Sequence, residues 1–209
     1  MKLNLGCGAK PLKGYINIDA PLTEASDPTI KANMYSKIED LDYKPETVEA
    51  VKMEAVFEHF PRHKALFLLK KIYKWLKIGV WVHIVVPDLL ATVDKISKTN
   101  DRSLRMFYFR HIFGPHTLQY GIHYDGFTVE KLEYTFSRVG FNEFKSTRKG
   151  RWPSINFTAW KKEPLMDEKT TISNIHEMLK MYAKGRKSDY LINNWLKQCG
   201  GLIWLYMIN

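Results

Sequence analysis

The chain opens on an apolar run that enters a glycine turn, Met1-Lys-Leu-Asn-Leu-Gly-Cys-Gly8, and a second short apolar run then ends in a carboxylate, Tyr15-Ile-Asn-Ile-Asp19. That order restricts the fold. Gly6 and Gly8 allow positive φ and let backbone approach a ligand with no Cβ between them. An acidic side chain at the tip of the following strand is placed to accept hydrogen bonds from a ribose diol. Strand, turn, strand and Asp therefore predict parallel strands whose carboxyl ends form a nucleoside-cofactor site.

A dinucleotide fingerprint wants Gly-x-Gly-x-x-Gly opening a helix, with its acidic residue ~20 positions further on. Pro11 stands where the third glycine belongs, and Asp19 comes too soon after Gly8 for a pyrophosphate-binding helix to intervene. The spacing suits a nucleoside without a pyrophosphate, of which S-adenosylmethionine is the commonest. On these residues the chain resembles the class I S-adenosylmethionine-dependent methyltransferases. Within them it is similar to the small bacterial, type 11-like branch, whose motif reads Leu-Asn-Leu-Gly-Cys-Gly, a short loop, then Gly-aromatic-Ile-Asn-Ile-Asp.

The remaining pattern is α/β. Strands are expected at Lys2–Leu5, Tyr15–Asp19, Thr29–Ala32 (ending at Asn33), Val48–Met53 and Val80–Val86. The loop after Gly8 is too short for a crossover helix and is expected to replace it. Ala65, Leu66, Leu68, Leu69, Ile72, Tyr73 and Leu76 recur at helical spacing, with Pro61 in the first turn and Gly79 as the stop. Helices are also expected at Leu89–Ser97, at Arg102–Phe113 and after Thr128, the last ended by Gly140. A hairpin, Phe141–Thr147 with Ser154–Trp160, closes the pattern. The resemblance implies a doubly wound, Rossmann-like sheet of order 3-2-1-4-5-7-6 with strand 7 antiparallel. It covers residues 1–163; residues 164–209 form a helical extension expected to pack on the domain or on a second copy in a homodimer.

Composition sets the class. At 209 residues with 45% apolar content, the chain can bury one substantial core. Its longest apolar run, Ile78 to Val86, is broken by His83 and stopped by Pro87-Asp88, so no membrane span is expected. Two cysteines are too few for a disulfide framework, and Met1-Lys2 leads straight into a strand with no cleavage site, so a cytoplasmic protein is expected. The net charge of +10 gathers at Arg62–Lys77, Arg102–Arg110 and Lys145–Lys162. Nucleic acid is one partner such a surface could attract, but solvated lysine faces are the favoured reading, and no RNA-binding signature is present.

The candidate site follows from both lines of reading. Gly6 and Gly8 bring backbone to the methionine moiety, Leu5 and Cys7 frame that turn, and Asp19 bridges the ribose hydroxyls. Cys7 has no paired base and fills the loop. Asn33 stands where related enzymes carry an Asp for the adenine amino group; an amide can accept there and also donate. Met53 and Glu54, at the end of the fourth strand, line the adenine or methionine side. Phe57-Glu58-His59 resembles the branch's Leu-Glu-His signature, and Glu58 and His59 either face the reaction centre or brace the loop. Gly121-Ile-His-Tyr-Asp-Gly-Phe127 resembles its His-aromatic lid, which makes His123, with His59, the candidate general base toward a hydroxyl. Tyr124 and Asp125 are weaker candidates, and Asp88 reads as a helix N-cap. His111, His116 and His123 lack a carboxylate or Cys at ligand spacing, so no metal is expected. The reading is a methyltransferase acting on a small-molecule or saccharide-type acceptor. RNA methylation and a degenerate binding module, the latter suggested by Asn33 and the altered Lys77–Val80 turn, are the alternatives.

Overall fold

Leu3, Leu5 and Ile18 are fully buried and alternate with Asn4 and Asn17, so a period of two sets up the sheet from its centre. The computed structural model describes residues 1–21, 29–117, 119–148, 152–185 and 187–198. Its strands are β1 (Lys2–Leu5), β2 (Ile16–Asp19), β3 (Met34–Tyr35), β4 (Val48–Glu54), β5 (Leu76–Pro87), β6 (Glu143–Arg148) and β7 (Ser154–Trp160). Its helices are α1 (Arg62–Trp75), α2 (Leu89–Lys98), α3 (Arg102–Phe113), α4 (Val129–Ser137), α5 (Glu168–Tyr182) and α6 (Ser188–Gln198). The strands pair as β3-β2-β1-β4-β5-β7-β6, with β7 antiparallel to both neighbours and the others parallel. This is the expected doubly wound order.

A loop does replace the first crossover helix, and the sheet residues beneath it show how. Asn4 and Asn17 are opposite one another on β1 and β2 and nearly buried. Asn4 Nδ2 donates to Asn17 Oδ1 at 2.8 Å, and that oxygen also accepts the Leu12 backbone N–H at 2.7 Å. Asn17 Nδ2 returns a bond to the Leu12 carbonyl at 3.1 Å. A helix would need apolar residues at these two positions; amides instead satisfy an irregular backbone.

The core lies under α1. Its Leu66, Leu69, Ile72 and Tyr73 are buried against Val51, Met53, Val82 and Ile84 of the sheet, in one apolar cluster with Leu132 and Phe136 of α4. Each such side chain contributes ~1.5–3 kcal/mol through the water it leaves. Asp88 and Thr128 cap α2 and α4, accepting the N–H of Ala91 and Lys131 at 3.1 Å each.

Two elements depart from the pattern. α1 ends at Trp75 rather than Gly79, because Leu76 is fully buried and pairs with Val48. Gly79 instead sits in a bulge of β5, at φ +84°, where Leu76 to Trp81 must match the shorter span from Val48 to Ala50. β3 begins after Asn33 rather than ending there. The Asn33 N–H donates to the Asn17 carbonyl at 2.8 Å, and Asn33 Oδ1 accepts the Asn17 N–H at 2.9 Å, so this residue starts the pairing of β3 with β2.

Past residue 163, Ile172, Ile175, Met178 and Leu179 of α5 and Ile192 and Leu196 of α6 join the same apolar cluster, and both helices contact α1. The apolar terminus Leu202–Ile208 and the turn of the closing hairpin lie outside the described residues. No helix among the described residues is long and apolar enough to cross a membrane.

Candidate functional site

At the carboxyl ends of β1, β2 and β4 the chain opens a cleft of about 250 Å³, lined by Gly6, Gly8, Asp19, Ala20, Ile30, Ser36–Glu39, Ala55, Val56, His59, Phe60 and Tyr120. Parallel strands place it there, since each crossover leaves the sheet at that edge. Gly6 leaves β1 at φ +66°, and Gly8 follows at φ +49°. The Gly6 and Cys7 N–H groups both donate to the Ile18 carbonyl, at 2.8 and 3.0 Å, which bends the turn over the end of β2. The Gly8 N–H then donates to Asp19 Oδ2 at 2.6 Å. Asp19 Oδ1 accepts the Ala20 N–H at 2.8 Å. A carboxylate has about four acceptor sites, so this one is held by backbone and still has lone pairs for a diol.

The two glycines face different surroundings. A Cβ on Gly6 would lie 2.4 Å from Val56 Cγ2, so Gly6 is glycine because β4's exit loop presses on it. A Cβ on Gly8 would meet nothing within 4 Å. That open cradle, beside a fixed carboxylate, fits a nucleoside with a short charged tail.

Leu5 and Cys7 flank the turn from the core side. Leu5 is fully buried, and burial, then the negative charge of Asp19, pushes the Cys7 thiol up to about 11. Cys7 is thus a packed thiol and no nucleophile. Asn33, Met53 and Glu54 do not line the cleft. Asn33 is spent on β2, Met53 is fully buried in the core, and Glu54 pairs with Lys52 at 2.6 Å. The residues in their places are Ser36 and Lys37, just past β3, and Ala55 and Val56, just past β4. Ala55 has φ +53°, and this turn aims Val56 at Gly6. A two-residue β3 gives no alternation to count, so its true end was hidden in the sequence; Ala55 carries no signal because non-glycine residues seldom adopt that φ.

The end of the cleft that His59 lines is built from two loops. Glu58 and His59 occupy a short 3-10 turn, Phe57–His59, and His123 lies in the segment before α4. The Tyr124 N–H donates to the Glu58 carbonyl at 2.8 Å, and the His123 N–H to the Phe113 carbonyl at 3.1 Å, which ties the loops together. The His59 and His123 rings meet edge to face, 4.8 Å between centroids. His59 reaches the cleft wall and His123 stands against it. Burial pulls both imidazoles below their ordinary range, His123 to about 4, and His59 adds a repulsive contribution to His123. Both are neutral at pH 7 and act as hydrogen-bond acceptors more readily than as strong bases.

Asp125 accepts from Arg62 at 3.2 Å and Lys131 at 2.7 Å, so it joins the loop to α1 and α4 and takes no part in the cleft. Tyr124 is exposed, and Asp88 caps α2 while pairing with Arg148 at 2.6 Å. His111 and His116 bond to backbone carbonyls, of Pro153 and Phe113.

No protein-family model matches the chain, and no curated protein matches it in sequence. Solved structures do match it. A SAM-dependent methyltransferase from Methanosarcina mazei aligns at 17% identity over 78% of this chain and 92% of its own, with a TM-score of 0.50. One from Thermotoga maritima aligns at 18% identity over 77% and 82%, also at 0.50. Human N-acetylserotonin methyltransferase, solved with S-adenosylmethionine, aligns at 16% identity over 78% of this chain and 47% of its own, at 0.50. At such identities the likeness is one of fold. The chain has the class I methyltransferase fold.

Proposed function

We propose that this protein is an S-adenosylmethionine-dependent methyltransferase acting on a small-molecule or saccharide-type acceptor. One observation carries the cofactor reading: the 2.6 Å bond from the Gly8 N–H to Asp19, at the mouth of the cleft, in a sheet of this order. Gly6 and Gly8 admit the methionine portion against bare backbone. Asp19 receives the ribose hydroxyls, and Ser36 to Glu39 border the base. When bound, S-adenosylmethionine supplies an activated methyl group on a sulfonium. The protein's share is alignment and exclusion of water. His59 and His123 border the other end of the cleft, where they orient the acceptor hydroxyl.

The charge supports the acceptor class. Of the basic runs, Arg62, Lys64, Lys70, Lys77 and Lys162 each pair with a carboxylate, and Lys161 is buried. That leaves a weaker field for a polyanion than the net charge implies.

Calorimetry with S-adenosylmethionine tests the site. Binding in the micromolar range is expected, weakened at least about tenfold by Asp19→Ala, the loss of one charge-assisted contact. No binding at millimolar cofactor, or equal binding by the variant, removes the assignment.

A further inference from the structure

Glu58 lies in the turn behind the cleft wall, next to His59. It is 1% exposed, and neither carboxylate oxygen makes a hydrogen bond. No lysine or arginine pairs with it among the described residues. Buried carboxylates are ordinarily paired, hydrogen-bonded or bound to a metal.

His59 and His123 share its surroundings. One ligand atom from each of Glu58, His59 and His123 lies within 4.8 Å of the others. The backbone fixes the tautomers. His59 Nδ1 is 3.0 Å from the Ile122 carbonyl and His123 Nδ1 is 3.2 Å from that of Ile112. A carbonyl only accepts, so each neutral ring carries its hydrogen on Nδ1 and leaves Nε2 a bare lone pair. Orientation of a ligating imidazole by a backbone carbonyl is how metal sites are braced. Ligand bonds of ~2.0–2.2 Å put donor atoms ~3–3.5 Å apart, so an ion would draw the widest pair of the three together by about 1.3–1.8 Å, within the reach of side-chain rotation.

We propose that Glu58, His59 and His123 form a divalent transition-metal site at the acceptor end of the cleft. Two imidazoles and one carboxylate suit zinc, cobalt, manganese or iron(II) better than magnesium, which prefers oxygen ligands alone. Three protein ligands leave coordination positions open toward the cleft that His59 lines. An acceptor hydroxyl entering there would bind the ion, which would fix its oxygen and lower the cost of releasing its proton to solvent water as the oxygen takes the methyl group from the sulfonium. This rests on the methyltransferase reading for its role, but not for its existence.

The test is metal binding by the full chain, stripped with chelator and then titrated with Co²⁺, Zn²⁺, Mn²⁺ and Mg²⁺. One transition-metal ion per chain is expected, visible as Co²⁺ absorption with imidazole ligation, with Mg²⁺ at least about tenfold weaker. Glu58→Gln keeps shape and hydrogen-bonding capacity but removes the anionic ligand, and His123→Gln removes the second imidazole. Each is expected to lower affinity at least about tenfold, since even changes behind the ligands cost ~10–100-fold. His176→Gln on α5, remote from the triad in sequence, serves as the control with unchanged binding. Melting curves in chelator establish that each variant is folded, and either ligand variant suffices. No ion bound by the wild-type chain at 1 mM (about −4 kcal/mol) overturns the proposal, as does wild-type affinity in a folded ligand variant. Calorimetry with S-adenosylmethionine in chelator keeps the two readings separable. Cofactor binding without metal binding sinks only this site, and metal binding without cofactor binding sinks only the methyl-transfer role.

Discussion

Gly6 and Gly8 are two positions apart, yet an added methyl group meets opposite conditions at each. At Gly6 it strikes Val56 at 2.4 Å on a backbone with φ +66°. Gly6→Ala is therefore expected to disturb the turn itself, costing about 1–3 kcal/mol from strain and overpacking. At Gly8 there is open space, so Gly8→Ala carries only the ~1–2 kcal/mol penalty of its positive φ. Its Cβ projects where the ligand is proposed to lie, and cofactor affinity should fall at least about tenfold for a small change in Tm. Melting curves beside calorimetry check the pair; equal loss of affinity and stability in Gly8→Ala would mean that no ligand approaches there. Glycines and Asp19 were readable because backbone geometry demands those residue types. Ala55, Val56 and Ser36 were not, since they border the cleft through backbone placement that many side chains would allow. Glu58 was readable as a motif member, but that neither of its carboxylate oxygens makes a hydrogen bond emerges only once the loops close around it.

Among the elements, the expected bounds of β1, α3 and β7 hold to the residue, whereas the join of α1 to β5 misled. Gly79 has the residue type of a helix stop, but the buried Trp75 and Leu76 compete for the core and end the helix earlier. The glycine then serves the bulge that follows. Lys161 holds that bulge from β7's end: its carbonyl accepts the Gly79 N–H at 2.7 Å, its N–H donates to Val80 at 2.9 Å, and its Nζ donates to the Leu76 carbonyl at 2.8 Å. The side chain is 1% exposed, with its ammonium also 3.3 Å from Glu46 and over the Tyr73 ring. Lys161→Ala leaves the Leu76 carbonyl unmet and a cavity beside Tyr73, so it should cost about 2–4 kcal/mol. Lys161→Met, which fills the space but cannot donate, should recover part of this. Urea unfolding midpoints decide; a loss under 0.5 kcal/mol, about the level of an ordinary surface change, for Lys161→Ala would show that the ammonium does not hold the bulge.

For the whole molecule, the net charge of +10 and its distribution point in different directions. The sequence clusters basic residues, and linear clustering is the sign of a polyanion surface. Folding brings acids from distant parts of the chain to them: Asp125 to Arg62, Glu39 to Lys64, Glu168 to Lys70, Glu49 to Lys77 and Glu143 to Lys162. None of these pairings is visible along the sequence, because each joins segments that meet only in the fold. α5, which continues the core past residue 163, supplies one of them in Glu168. Each surface pair adds little stability, ~0–1 kcal/mol, but together they break up the field that would collect phosphates. Association with a structured RNA is accordingly expected to be weak, with a Kd above about 10 µM at physiological salt and few counterions released. Filter binding across 50–200 mM salt measures both quantities. A slope of log K against log salt near −1 to −2 fits the small-molecule reading, whereas six or more phosphate contacts would give a slope of about −5 or steeper. Such a slope, abolished by replacing Arg102, Arg105 and Arg110 on α3, would move the acceptor from a small molecule to RNA. The cofactor site proposed at Gly8 and Asp19 would stand in either case, since these residues lie on β1's turn and β2, apart from that helix.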